Sequence, residues 1–335
     1  MRQLVLAMIA VFWAVGMVKA SDYRTHSGYA DFLAYADEKY ELPKWVVDRH
    51  LKGVQKNQRT IDLISKPAEK TLTWYEYQRI FISKKLVRQG VQFWQENEQQ
   101  LRLASSAYQV PVEIMLAILG VETRFGRNQG KFSVVESLAT LAFDYPKRSP
   151  FFRGELATLI QLAHTQNLPI DGMLGSYAGA VGMPQFMPSS RLNFSVDFDD
   201  DGVVDLRSNP ADVIGSVANY FHKHGWGLGA PVILPVEVKN EEKLEKYINK
   251  TLTPEYALSF WQKKGVTILG GRPDSLPENT LASLYGFKGA DGVFDYWLGV
   301  NNFYVITRYN RSRLYAMTVY QLSKQLAEAM READA

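Results

Sequence analysis

Residues 111–126, PVEIMLAILGVETRFG, constrain this chain more than any other stretch. They form an apolar run of helical length that carries a carboxylate, Glu122, one turn before Gly126 can end it. At 100° per residue, with Glu122 at zero, Met115 falls at about +20°, Ile118 at about −40° and Leu119 at about +60°. Glu122 therefore projects from the apolar stripe, not from the face opposite it. Partial desolvation there raises a carboxyl pKa, and the negative end of the helix dipole pushes the same way. A carboxyl that keeps its proton near neutrality suits general-acid chemistry at a glycosidic bond. The other reading is a surface acid that snorkels out to pair with Arg124 or Arg127. This stretch alone leaves both open.

A helix of that kind needs other elements to bury it. The 335 residues, 46% hydrophobic and 22% charged, are enough for two or three domains with a sizeable core. Residues 28–110 read as helices broken at Leu42-Pro43 and Lys66-Pro67, with Pro43 suited to a first helical position. In residues 210–225 Asn209 is the expected N-cap, Pro210 the first residue and Gly225 the stop. After Gly225 the character changes. APVILPVEV and GVTILGG are short β-branched runs bounded by Gly and Pro, and NFYVITRYN reads as another strand. The expected class is mainly α (α+β). Its parts are a helical N-terminal region at 21–72 that packs with the C-terminal helix, a core at 73–227, a small β-containing lobe at 228–290, and a C-terminal return at 291–335.

The first twenty residues stand apart. Arg2 precedes the 15-residue apolar run at 4–18, and VKA places small residues before a cut after Ala20, as in a signal peptide; an uncleaved N-terminal anchor is the alternative. No other segment is apolar enough to span a membrane. The chain has no cysteine, which excludes disulfides and a lipid anchor on cysteine. Removing Arg2 and Lys19 lowers the net charge from +3 to +1, with no basic stripe to suit nucleic acid. The expectation is a soluble exported protein of the bacterial periplasm.

Two further stretches carry chemistry. Residues 175–190, GSYAGAVGMPQFMPSS, combine glycines that permit close backbone approach with Ser176, Tyr177, Gln185 and Phe186. No GK[ST] follows a strand, so this is not a phosphate cradle; uncharged hydrogen-bonders beside flat rings suit a neutral glycan. A tight structural loop is the alternative. Residues 197–208, DFDDDGVVDLRS, place Asp197, Asp199, Asp201 and the Val203 carbonyl at calcium-loop positions 1, 3, 5 and 7, with Asp205 at 9. An all-oxygen set favours calcium over zinc, and a solvated acidic turn is the alternative. Position 12 is Ser208, not glutamate, and Asp212 is the substitute, although an acid at N3 of the next helix also answers the dipole. Such an ion would be structural, and no organic cofactor is expected.

GVETRFG, the glycine-rich stretch, the acidic loop, SVANYFHKHGW, TRYNRS and SLATLAFDYPKRSPFFRGEL together resemble the B-type lytic murein transglycosylases over residues 28–325. The resemblance implies a lysozyme-like core and cleavage of the β-1,4 bond between N-acetylmuramic acid and N-acetylglucosamine in peptidoglycan, leaving 1,6-anhydromuramic ends. It implies Glu122 as the single acid and base. Ser176 would bond near it, Gln185 and Phe186 would contact the sugar, and Tyr77, Tyr220 and Tyr309 would line the cleft. Lys147 and Arg148 would meet peptide-stem carboxylates. Asp197, Asp199, Asp201, Val203 and Asp212 would ligate calcium in the 197–212 loop. Partners would be glycan strands and other cell-wall enzymes. Two alternatives remain: a hydrolytic muramidase with Asp144 as second carboxylate, and a non-catalytic, calcium-stabilised peptidoglycan-binding protein.

Overall fold

The computed structural model of the protein describes residues 22–66, 72–274 and 276–333. The leader at 1–20 and Pro67 of the expected break lie outside them.

Three helices come first: α1 (Tyr29–Tyr40), α2 (Lys44–Leu51) and α3 (Gln58–Ile64). Pro43 sits in extended backbone as the N-cap of α2, one position earlier than expected. Then follow α4 (Trp74–Phe81), α5 (Lys84–Glu96), α6 (Glu98–Tyr108) and α7 (Val112–Thr123). A capping box of Thr73 and Glu76 opens α4, and the Ser83 hydroxyl caps α5. Strands β1 (Phe132–Ser133) and β2 (Leu174–Gly175) pair antiparallel around α8 (Val134–Asp144) and α9 (Ser149–Thr165). After α10 (Pro188–Phe194) comes α11 (Pro210–Lys223), capped by the Asn209 side chain and followed by Gly225 at φ +82°, as expected.

The lobe holds β3 (Ile233–Val238), β4 (Tyr256–Ala257), α12 (Leu258–Lys263), β5 (Val266–Ile268), β6 (Leu281–Lys288) and β7 (Phe294–Gly299). Its sheet is antiparallel in the order β4-β6-β7-β3-β5. The chain closes with α13 (Asn301–Tyr309) and α14 (Arg313–Ala333). The mainly α expectation holds.

The helix α7 is the hub. Every residue from 114 to 121 is buried, and α5, α6, α11 and α14 pack around it. It is apolar on all sides, which corrects the picture of a single stripe. Each large side chain there contributes on the order of 2–5 kcal/mol relative to alanine. Gly90 and Gly120 let α5 and α7 close around one ring: a Cβ at either would lie within 3.0 Å of Phe125 Cζ.

Three expectations change. The segment NFYVITRYN forms α13, because Asn302, Phe303, Val305, Ile306 and Thr307 bury one helical face; packing overrides β-branched propensity. The sheet runs past 290, since β7 supplies its central pairing with β3 and β6. The N-terminal helices do not pack on the C-terminal helix. Tyr29, Phe32, Val46, Val47 and Leu51 share a core with α8 and α9, whereas α14 packs on α4, α5, α7 and α13.

Strand β6 is buried on both faces. Ala282 and Leu284 enter the lobe's core, and Tyr285 and Phe287 enter the main core. This is the alternation a strand must show when each face meets apolar partners.

Candidate active site

Glu122 lies on the last turn of α7, and the chain beyond it reverses sharply. Arg124, Phe125 and Gly126 adopt φ of +52°, +58° and +80° in succession. Left-handed backbone at two non-glycine residues costs on the order of 1 kcal/mol each. Burial of the Phe125 ring, stacked 5.4 Å from Phe93, offsets that cost. The reversal is pinned by Thr123. Its hydroxyl donates to Met183 O at 2.8 Å and accepts from Gly126 N at 3.0 Å.

Glu122 itself is half-buried. Its carboxylate accepts a 2.6 Å hydrogen bond from the Tyr315 hydroxyl on α14. Arg124 and Arg127 are both exposed, and the Arg127 guanidinium turns to the Arg124 carbonyl. Tyr309 and Tyr315 stack at 6.5 Å. Burial, and next the charge of Glu122, push both phenols well above the ordinary tyrosine value. Two neutral rings thus wall one carboxyl. Asp144, the second carboxylate a muramidase would need, is engaged elsewhere: it accepts from Tyr23 Oη at 2.7 Å and Lys56 Nζ at 3.3 Å.

A cavity of about 810 Å³ opens beside Tyr309, with Arg148, Phe151, Tyr177, Ser312 and residues 249–252 among its walls. Tyr309 links it to Glu122. It lines the cavity, its hydroxyl donates to Pro184 O at 2.6 Å, and Glu122 is the carboxylate acting on it. A cavity of similar size, about 820 Å³, lies between residues 166–174 and 202–207, without these residues.

The glycine-rich loop is tied to this end of α7. Gly182 approaches the acidic loop so closely that a Cβ would lie 2.3 Å from Leu206 O. Met183 N donates to that carbonyl at 2.8 Å. The Ser176 hydroxyl accepts from Ala178 N and Ala180 N, so it keeps only its proton to give. Gln185, at φ +51°, donates its amide to Gly182 O and Gln129 O. Those bonds hold the loop closed.

Some expected cleft residues lie deeper. Tyr77, Phe186 and Tyr220 are 1%, 2% and 6% exposed, so their rings do not face solvent. Phe186 and Tyr220 pack against Tyr309, and the Tyr220 hydroxyl donates to Arg308 O at 2.7 Å. They form the floor beneath Tyr309 in place of the cleft wall. Arg148 faces the cavity with its guanidinium 4.4 Å above Phe151, whereas Lys147 is exposed and is not among the cavity's walls. Tyr315 and Thr123 were missed from sequence. Tyr315 had no local signal, since its partner is 193 residues away.

The acidic loop gathers carboxyl oxygens of Asp197, Asp199 and Asp212 within 4.8 Å of one another. Calcium–oxygen bonds of 2.3–2.6 Å put ligands on opposite sides of an ion about 5 Å apart, so the set fits that cation. Asp212 is fully buried and accepts from Phe198 N at 2.8 Å and Asp205 N at 2.7 Å. Burial, then the charges of Asp199 and Asp197, raise its pKa. Asp205 instead caps Arg207 N and Ser208 N. Asp201, expected as a ligand, is outside the cluster and accepts from Val203 N. Val203, expected to coordinate through its carbonyl, is 61% exposed.

Comparison with known proteins places these features in context. Residues 25–324 match the Transglycosylase SLT domain family. The chain is 39% identical over 282 residues to the membrane-bound lytic murein transglycosylase B of Escherichia coli (strain K12), which spans 82% of this chain and 73% of that protein. The catenated lytic transglycosylase SltB1 from Pseudomonas aeruginosa superposes with a TM-score of 0.85 at 41% identity, over 92% of this chain and 100% of that one. The Escherichia coli lytic transglycosylase SLT35 in complex with calcium gives 0.81 at 35%, over 93% and 96%. SltB3 from Pseudomonas aeruginosa in complex with NAG-NAM-pentapeptide gives 0.75 at 28%, over 89% and 79%.

Proposed function

Because the chain belongs to the transglycosylase SLT domain family and is a peptidoglycan-cleaving lytic murein transglycosylase, we propose that Glu122 is its single catalytic acid and base. The observation that carries this reading is one half-buried carboxyl, bonded by Tyr315 and walled by Tyr309, with Asp144 engaged elsewhere. Protonated Glu122 gives its proton to the oxygen between N-acetylmuramic acid and N-acetylglucosamine. The substrate's own N-acetyl oxygen meets the positive charge growing at C1. Glu122, now a carboxylate, takes the proton of the C6 hydroxyl of the same muramic sugar. That oxygen attacks C1 and closes a 1,6-anhydro ring, so no water is consumed. Ordinary glycosidases need a second carboxylate; here the sugar supplies its place.

The neighbouring side chains have matching tasks. Tyr315 donates to the carboxylate and holds its orientation between the two proton transfers. Ser176 has one proton to offer a substrate oxygen. Tyr309 and Arg148 line the channel for the strand. Removing the Tyr315 hydroxyl loses a hydrogen bond to a charged group, worth about 1.5–3 kcal/mol. Tyr315→Phe therefore lowers kcat about 10- to 100-fold in a turbidity assay on sacculi, with the protein still folded by circular dichroism. A variant with unchanged kcat would remove Tyr315 from this scheme.

Asp197, Asp199 and Asp212 would hold a calcium ion that neutralises the acidic loop and fixes the start of α11, a structural task. The complex of SLT35 with calcium supports this assignment. Among the described residues no single helix is long and apolar enough to cross a membrane. With the leader at 1–20 this supports a soluble periplasmic enzyme.

Mass spectrometry of digested peptidoglycan tests the reaction. Muropeptides should end in anhydromuramic acid, lighter by one water than hydrolytic ends. Hydrolytic reducing ends throughout would instead establish a muramidase.

A further inference from the structure

Away from the cleft, the helix α2 and the end of α9 border another cavity, of about 330 Å³. On α2 the residues Val46, Val47 and Leu51 are buried, which leaves Trp45 and Arg49, four residues apart, on the outer face. After α9 the chain turns back at Asn167, in left-handed backbone at φ +54°, and Leu168 N donates to Leu162 O at 3.3 Å. The turn brings Asp171 within 3.4 Å of His50 Nδ1. This cavity adjoins the one of about 820 Å³ beside the acidic loop, with Asn167, Leu168, Pro169 and Asp171 in the walls of both.

Trp45 is 60% exposed, more than any other aromatic side chain among the described residues. A single exposed ring needs no explanation by itself. This one walls a cavity, and His164 packs against it with centroids 5.7 Å apart and planes at 87°. Arg49, His50, Asn167 and Asp171 stand around it with hydrogen-bonding groups. The core of a protein interface is depleted of charge and gathers apolar side chains, which these surroundings do not. Across the two cavities Arg49, Arg191 and Arg207 stand against Asp171 and Asp205, so neither sign dominates. The matching ligand is neutral, with one flat apolar face and a polar rim. A pyranose ring has that form, with C–H groups on its faces and hydroxyls at its edge.

We propose that the cavity between α2 and the end of α9 is a second, non-catalytic site for a glycan strand of peptidoglycan, with a sugar ring stacked on Trp45. It rests on the peptidoglycan reading above. The helix α9 separates the two sites. Phe151 near its start walls the catalytic cavity and His164 near its end walls this one, so a rise of about 1.5 Å per residue puts them about 20 Å apart. A sacculus presents many strands, so both sites fill at once. The second contact raises the effective concentration of substrate at the first and leaves the chemistry there unaltered.

The test measures binding to sacculi stripped of protein, in the Glu122→Gln background so that nothing is cleaved. Trp45→Ala should weaken that binding about tenfold, the effect of losing one stacked ring. Trp45→Phe keeps a flat ring and should weaken it at most about threefold. With Glu122 restored, Trp45→Ala should lower the ratio of kcat/KM on sacculi to kcat/KM on a soluble strand only long enough to fill the cleft, again about tenfold. The ring lies outside the core, and a ratio is insensitive to a general loss of fold. Binding by Trp45→Ala equal to that of its parent overturns the proposal and leaves the ring to a protein partner. A ratio that stays at the wild-type value overturns it too, as does a Trp45→Phe variant as weak as Trp45→Ala. Failure of the peptidoglycan reading looks different: the parent would not bind sacculi and wild type would not clear them, and both readings would fall together.

Discussion

Glu122→Gln should cut peptidoglycan turnover by at least about 10³-fold while leaving the fold and glycan binding intact. Positioned acid–base catalysis contributes about 10²–10⁴-fold, and here one side chain serves both proton transfers. Glutamine keeps the volume of the side chain, and its carbonyl oxygen still accepts from Tyr315. The variant therefore loses the transferable proton and little else. A zymogram beside a thermal melt makes the comparison, and a sacculus pull-down adds binding. More than a tenth of wild-type activity in the variant would end the single-carboxyl reading. A wild type that binds sacculi but clears none would favour a binding protein.

Asp212→Ala should give the largest loss of stability. Asp212 is fully buried and is the acceptor for Phe198 N and Asp205 N. Each stranded donor costs about 1–3 kcal/mol, a large share of a typical total of about 5–15 kcal/mol. The variant also loses a ligand from the acidic cluster. Wild type should melt higher in calcium than in chelator, by mass action on the folded state. The variant should melt low in both and lose that difference. An equal calcium shift in both proteins would place the ion elsewhere. Activity should fall as well, because a short chain of backbone contacts leads to the site. Asp205 N bonds Asp212, Met183 N bonds Leu206 O, and Met183 O accepts from Thr123, next to Glu122.

What could be read from sequence was what lies close together in sequence. The placement of Glu122 near a helix end, the cap at Asn209 and the choice of Asp212 each rest on residues a few positions apart. Asp212 separates from Asp205 in the structure because the latter turns back to cap its own loop. Tyr315 was invisible because only the packing of α14 on α7 brings it to Glu122. The fate of Tyr77, Phe186 and Tyr220 shows a related limit. An aromatic in a motif is legible, but whether its ring faces a ligand or the core depends on neighbours from other segments. For α13 local propensity pointed the wrong way: Tyr, Val, Ile and Thr favour strands, yet their helical spacing supplies a face that α14 and the sheet cover.

The two-faced burial of β6 bears on engineering. Exchanging lobes between relatives is an obvious way to alter substrate choice, yet this lobe is no detachable cassette. A cut at its apparent margins would carry Tyr285 and Phe287 away from the main core, where they pack with Phe303 and Trp74. A workable graft must leave those two rings, or rings of the same volume, on the incoming strand. Swaps confined to the lobe's outer residues avoid that constraint altogether.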